Sequence, residues 1–213
     1  MITGIFAKIT FISLIILHGI AFSQENKNLV NQTVNSKYPY KLSIIDSLQL
    51  VNVQELKFKP EYLKKSLPSQ INNSTQPYFM PIFEQVGLEC GQQSSISYNF
   101  GYEWNYRNGT VANVPENQFP THYTFNFMNG GYGWTGVSYM HSFEIAKVNG
   151  HPTIAEYGGM SEGGASRWMT GYDHYYHGMS NKIEDLYQIK VGTPTGLLVL
   201  KNWLHNHLND EEV

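Results

Sequence analysis

The sequence contains a single cysteine, Cys90, in a chain of 213 residues. In an exported protein, a cysteine without a partner in its own chain indicates either an intermolecular disulfide or a free, reactive thiol. The alternative is a structural role, because an unpaired cysteine is also a small apolar side chain that packs well in a core. Cys90 is therefore the first candidate for nucleophilic chemistry. The number of cysteines alone leaves the structural alternative open.

A second group with chemical potential is Asp173, His174 and His177, in the segment "GYDHYYHG". Two histidines three residues apart can share a helical face, and imidazole with carboxylate suits zinc. No third ligand follows at a fixed spacing, however, and the flanking glycines predict a loop. We therefore predict no metal site here and an ordered loop over residues 157–180.

Export is predicted by the first 23 residues. Residues 1–8 are weakly positive, residues 9–17 form a short apolar run, and small residues at Ala21 and Ser23 precede a cleavage point before Gln24. The apolar run is shorter than the ~20 residues that cross a bilayer, although a retained N-terminal anchor is the alternative. The mature protein is expected to be secreted, periplasmic or on the cell surface, without membrane contact after signal cleavage.

Composition indicates one folded domain behind this leader. Apolar residues make up 41% and charged residues 15%, which is typical of a chain that folds. The net charge is -3 and no basic run occurs, which argues against a nucleic-acid partner. Residues 24–66 are polar and weakly patterned and are interpreted as a pro-segment or N-terminal extension. Residues 67–213 are interpreted as the domain itself.

The element that carries Cys90 is ambiguous by periodicity. From Cys90 to Arg107, aromatic and apolar residues alternate as in a strand, yet others share one helical face. Asn108 and Gly109 then close the segment, as a turn or as a helix C-cap.

Two later segments predict helices more clearly. Residues 138–149 carry apolar residues at helical spacing and are followed by Gly150, where a left-handed cap belongs. Thr195 to Leu208 has a leucine stripe and follows Pro194, which fits a first helical turn. Residues 181–189 are predicted as a further short helix. The pattern therefore indicates a helical, loop-rich domain with little strand.

The stretch "FEQVGLECGQQSS" resembles the active-site segment of papain-like (C1 family) cysteine peptidases. This resemblance implies that Cys90 is the nucleophile at the start of a long central helix, whose positive end stabilises a thiolate. It implies that Gln85 is the side-chain donor to the oxyanion of acyl transfer. It also favours the helical alternative for the segment after Cys90.

A second stretch, "FMNGGYGWTGVSYMHSFEIAKVNGHPT", resembles the Asn-Gly-Gly substrate-binding loop of the same family and the helix beyond it. It assigns Asn129, Gly130 and Gly131 to the groove, where glycine lets a substrate peptide approach the backbone closely. With the tail "GLLVLKNWLHNHL", the resemblance covers roughly residues 67–208. The implied fold class is α+β and papain-like, represented mainly by the left helical domain, with the right β-rich domain largely missing.

The chain departs from the family at the cysteine itself. The usual motif is Cys-Gly-Ser/Ala-Cys-Trp/Tyr, whereas Cys90 is followed here by Gly, Gln, Gln and Ser. An ungapped register places Gln93 at the nucleophile and makes the protein inert. We favour the shifted register, with Cys90 as nucleophile, because Met128 stands where the disulfide partner of the family's structural cysteine belongs.

The family's catalytic histidine and asparagine lie about 130–150 residues beyond the cysteine, and 123 residues follow Cys90 here. None of the chain's histidines matches the family's base. His122 is predicted in a loop, His141 on a helix and His151 at a helix exit. We therefore expect the histidine and asparagine to be encoded downstream, and negligible peptidase activity from these 213 residues alone.

The resemblance implies a protein or peptide substrate and no cofactor, and the oligomeric state is left open. One alternative is a non-catalytic relative that binds extended peptides without cutting them. Another is a glycan-binding module, suggested by Tyr172, Tyr175, Tyr176 and the four tryptophans.

Overall fold

The computed structural model describes residues 48–63, 66–157 and 171–206. Its helices in chain order are α1 (Cys90–Gln92, Gln93–Phe100 and Gly101–Asn108, in one continuous run), α2 (Thr121–Asn126), α3 (Tyr139–Asn149), α4 (Ile154–Tyr157), α5 (Tyr172–Gly178) and α6 (Pro194–Asn206). The strands are β1 (Gln54–Glu55) and β2 (Tyr187–Gln188), and 3-10 turns occupy Pro60–Tyr62, Asn73–Thr75 and Pro115–Asn117. The predicted signal at 1–23, the first part (24–47) of the extension predicted over 24–66, and residues 64–65, 158–170 and 207–213 lie outside the described residues.

The segment that begins at Cys90 is helical, as the resemblance favoured and periodicity left open. Its middle stretch, Gln93–Phe100, is a π-helix, a form that occurs mostly in short pieces near functional sites. Ser94 and Ser95 both donate their hydroxyls to the carbonyl of Gly91, at 2.9 and 2.8 Å. Such bonds from side chain to preceding backbone distort a regular helix. The helix ends at Gly109, whose φ of 64° is left-handed, as expected for a C-cap.

A first hydrophobic core holds α1 against α3. Gly91 makes this contact close, because a Cβ at that position would lie 3.2 Å from the Cβ of Tyr139. The two helices therefore meet within one residue of Cys90. The buried members of this core are Leu50, Ile96, Phe100, Phe119, Met140, Phe143, Ala146 and Ile183.

A second core lies under α6 and the small sheet. β1 and β2 pair in parallel, with Gln54 opposite Tyr187 and Glu55 opposite Gln188. The Gln188 amide also donates to the carbonyls of Leu50 and Val53, at 3.0 and 2.6 Å. The buried members of this core are Leu56, Phe58, Ile189, Val199, Leu200 and Trp203.

This packing runs across the predicted boundary at residue 66, because residues 48–63 contribute to both cores. The predicted helix over residues 181–189 is wrong, since that segment contains β2 instead. The loop predicted around Asp173 is also wrong, because α5 forms there. The helix predicted from Thr195 is confirmed over the described part of its range, as α6.

The predicted helix over residues 138–149 is confirmed as α3, which ends at Gly150 with a φ of 73°. A Cβ on Gly150 would lie 2.1 Å from the carbonyl oxygen of Gly178, so the ends of α3 and α5 touch here. Among the described residues, no helix is long and apolar enough to cross a membrane.

Candidate active site

Cys90 is the first residue of α1 and its thiol is exposed. The first amides of a helix lack intrahelical acceptors, and the aligned peptide dipoles make that end positive. In the part of the chain that the structure describes, no histidine hydrogen-bonds the Cys90 thiol.

The segment before Cys90 is fastened to α1 through Phe83. Gln93 donates its side-chain amide to the carbonyl of Phe83 at 3.1 Å. The Phe83 backbone amide in turn donates to the Tyr98 hydroxyl at 3.3 Å, and the two rings stack with centroids 5.8 Å apart. These contacts fix the point at which the chain approaches the cysteine.

Gln85 lies between that anchor and Cys90, and its side chain is partly exposed. Its amide nitrogen donates to the carbonyl of Gly87 at 2.9 Å, across a turn in which Gly87 has a φ of 83°. A primary amide carries two N–H donors, so one such bond leaves the second for another acceptor.

The predicted substrate loop is built around a buried asparagine. The Asn129 side chain receives the backbone amide of Gly131 at 2.8 Å and donates to the Asn126 side chain at 3.0 Å. Gly130 and Gly131 follow with φ values of 62° and 80°, and a Cβ at either position would meet nothing within 4 Å. Backbone conformation, rather than crowding, therefore calls for glycine here, and the loop faces solvent.

The loop and the cysteine segment are joined directly. The Leu88 backbone amide donates to the carbonyl of Gly133 at 2.9 Å. Large apolar side chains stand exposed along this junction, at Val86, Leu88, Tyr132 and Trp134. Gly91 adds the contact with α3 described above. The structure thus brings the Cys90 segment and the Asn129 loop together on one surface.

Two residues of this region form a pair that was not predicted from the sequence. Glu89, immediately before Cys90, is fully buried, and so is His122 on α2. A Glu89 carboxylate oxygen lies 2.6 Å from Nδ1 of His122 and also accepts the Thr121 hydroxyl. The loop predicted around His122 is wrong, because His122 lies within α2. The acidic residue before the cysteine in "QVGLEC" is the signal that the sequence offers for this pair, and it does not identify the partner.

Two further histidines, His151 and His177, make other contacts. His151 is buried against Phe119 and Tyr123, at ring-centroid distances of 5.7 and 4.8 Å. Loss of hydration in this apolar setting lowers the pKa of His151 to about 3, so its ring is neutral near pH 7. His177 pairs with Glu156 at 3.5 Å on the surface. Among the described residues, no group of histidine, cysteine and carboxylate side chains could hold a metal ion.

The tyrosines behind the glycan-binding alternative divide into two kinds. Tyr172 and Tyr176 are 77% and 59% exposed, and their rings stack on α5 with centroids 6.0 Å apart. Tyr175 instead packs against Tyr123, at 6.3 Å between centroids. Of the tryptophans, Trp203 is a buried core residue.

No protein-family model matches the chain, and no curated protein matches it either. Among solved structures, the chain superposes on a protein of the cysteine protease class with a TM-score of 0.51. That structure is xylellain, a cysteine protease from Xylella fastidiosa, and 12% of the residues are identical. The match covers 78% of this chain and 61% of the xylellain chain. The likeness shows a distant relationship of fold: a helix-rich domain with a two-stranded sheet that matches part of a papain-like protease.

Proposed function

We propose that the protein is an exported cysteine-type peptidase in which Cys90 attacks the carbonyl carbon of a peptide bond. The observation that carries this proposal is an exposed thiol at the first residue of the longest described helix, in a fold that superposes on a cysteine protease. The organisation into a signal at residues 1–23, an extension at 24–66 and a peptidase domain from residue 67 is part of the same proposal.

The proposed reaction is acyl transfer through a thioester. The Cys90 thiolate forms a C–S bond with the substrate carbonyl, and negative charge moves to the carbonyl oxygen. The Cys90 backbone N–H and the Gln85 side-chain amide would stabilise this oxyanion. The amine then leaves with a proton, and water hydrolyses the thioester. A general base takes the thiol proton.

The substrate would lie along Asn129, Gly130 and Gly131. The two glycines present backbone without side chains, which allows an extended peptide to pair with the loop edge-to-strand. Tyr132 and Trp134 are 61% and 66% exposed beside this loop and offer apolar contact to substrate side chains. Protein or peptide is therefore the proposed substrate class, and the reaction needs no cofactor.

The test uses the full natural gene product, a set of fluorogenic peptide substrates and the variant Cys90→Ser. We expect hydrolysis by the wild type and none by the variant. Gln85→Ala should lower kcat by roughly 100-fold, the usual cost of removing one oxyanion donor.

The non-catalytic alternative makes a different prediction for the same proteins. If the wild type cuts no peptide, while both it and Cys90→Ala bind an extended peptide with equal affinity, the peptidase proposal is refuted. The chain would then be a peptide-binding relative.

A further inference from the structure

The charged residue next to the thiol lies entirely inside the protein. Glu89 has no exposed surface, whereas the neighbouring Cys90 is exposed. The Glu89 carboxylate accepts three donors: the Val86 backbone amide at 3.0 Å, Nδ1 of His122 at 2.6 Å, and the Thr121 hydroxyl. One donor belongs to the cysteine segment itself, and the other two belong to α2.

A carboxylate in this position is costly unless every donor stays in place. Burying an ionised group loses its hydration, which only close, charge-assisted hydrogen bonds offset. Nδ1 of His122 faces a carboxylate oxygen of Glu89 at 2.6 Å. Nε2 of the same ring is buried and has no partner in the described structure. The hydrogen bonds of the ring to Glu89 and Thr121 therefore both lie on its Nδ1 side.

These bonds close a short turn directly before the nucleophile. The Glu89 side chain holds the amide of Val86, and two residues further on the amide of Leu88 is held by Gly133. The same turn contains Gln85 and Gly87, whose hydrogen bond spans it. Glu89 is therefore tied through its side chain to the turn that carries Gln85, while its backbone leads directly into Cys90.

We propose that Glu89, held by His122 and Thr121, is a positioning residue that fixes the Cys90 thiol and its two oxyanion donors against the Asn129 loop. This inference rests on the proposed peptidase function for its catalytic meaning. Glu89 itself touches no substrate, because it is buried beneath the segment. Its effect passes through the turn at residues 85–89.

The experiment compares Glu89→Gln with Glu84→Gln in the full gene product. Both variants remove one carboxylate from the same segment, but Glu84 is exposed. Two alkylating reagents are used: iodoacetamide, which needs only a reactive thiol, and a peptidyl acyloxymethyl ketone, which also needs an aligned substrate site. Cys90 is the only cysteine of the 213 residues, and Cys90→Ser identifies its labelling.

We expect Glu89→Gln to slow the peptidyl reagent at least about 10-fold, because misplacement by a fraction of an ångström is costly in a catalytic site. The iodoacetamide rate should stay within about threefold, and Glu84→Gln should change neither rate. Hydrogen exchange should become faster in peptides covering residues 84–90 of the Glu89→Gln variant, and not in peptides from α3.

Equal behaviour of the two variants would overturn the proposal. So would an equal change with both reagents together with faster exchange throughout, because that pattern shows a general loss of stability. If Glu89→Gln does not fold, Thr121→Val gives the decision, since it removes one donor and keeps the side-chain shape. Unchanged labelling and exchange in Thr121→Val would then refute the positioning role.

Failure of the peptidase proposal gives a separate result. In that case the wild type shows no preference for the peptidyl reagent, and hydrogen exchange alone decides whether Glu89 positions the segment.

Discussion

The buried histidine His151 makes the stability of this protein depend on pH in a predictable way. Its ring is fully enclosed by Phe100, Phe119 and Tyr123, and only Nδ1 has a partner, the carbonyl oxygen of Pro152 at 2.9 Å. Burial lowers its pKa to about 3 from the ordinary 6.5. Below pH 6.5 the unfolded chain therefore binds a proton at this residue and the folded protein does not.

The sign follows from that difference in bound protons. Stability rises with pH wherever the unfolded state binds more protons, so this contribution is complete above pH 6.5 and is lost as the pH falls towards 3. Each pH unit within this window costs about 1.4 kcal/mol. Acidification from about pH 7.5 to 4.5 should therefore lower the free energy of unfolding by about 2.7 kcal/mol through His151 alone.

The assay is urea unfolding at several pH values, followed by tryptophan fluorescence, for the wild type and two variants. In His151→Asn, the side-chain amide replaces Nδ1 as donor to Pro152, and the titrating group is gone. The loss of unfolding free energy between about pH 7.5 and 4.5 should therefore be smaller than in the wild type by about 2.7 kcal/mol. His174→Asn is the matched control, because His174 is exposed on α5. A slope that is the same in His151→Asn and the wild type would refute the reasoning, since His151 would then titrate alike in both states.

Three further predictions concern the packing and the surface. Leu56 is 2% exposed and Leu48 is 66% exposed. In chemical denaturation, Leu56→Ala should therefore lower the free energy of unfolding by about 2–5 kcal/mol, and Leu48→Ala by under about 0.5 kcal/mol. Equal losses would show that residues 48–63 are not part of the folded core. Gly150→Ala should destabilise at least about 2 kcal/mol more than Gly109→Ala, because both positions have positive φ but only Gly150 is blocked by neighbouring backbone. On the glycan-binding alternative, Tyr176→Ala should abolish retention on an immobilised polysaccharide, and retention equal to the wild type would reject a role for that side chain.

The helices were predictable where local sequence decides the conformation. Helix α3 combines an apolar repeat with Gly150 at its end, and α6 follows a proline that suits a first turn. The helix after Cys90 was not predictable from periodicity, because its π-helical middle stretch disturbs the 3.6-residue repeat. Only the family resemblance favoured it.

Features set by distant contacts escaped prediction. β1 and β2 are two residues each and pair across more than a hundred residues of chain, so neither leaves a local pattern. The pairing of Glu89 with His122 is equally non-local, since α2 is reached only after α1 has ended. The separation of Tyr175 from its exposed neighbours likewise depends on Tyr123, which lies far away in sequence.

The structure also bears on the two possible registers at the nucleophile. Gln93, which occupies the nucleophile position in the ungapped register, lies one turn inside α1. Its side-chain amide donates a hydrogen bond to the carbonyl of Phe83. The Gln93 side chain thus binds the segment that precedes Cys90. Cys90 instead has an exposed thiol at the end of the helix where the backbone dipole is positive, beside a turn that Glu89 closes from below. A clamping role for Gln93 is compatible with both registers, so loss of peptide hydrolysis in Cys90→Ser is the result that would separate them.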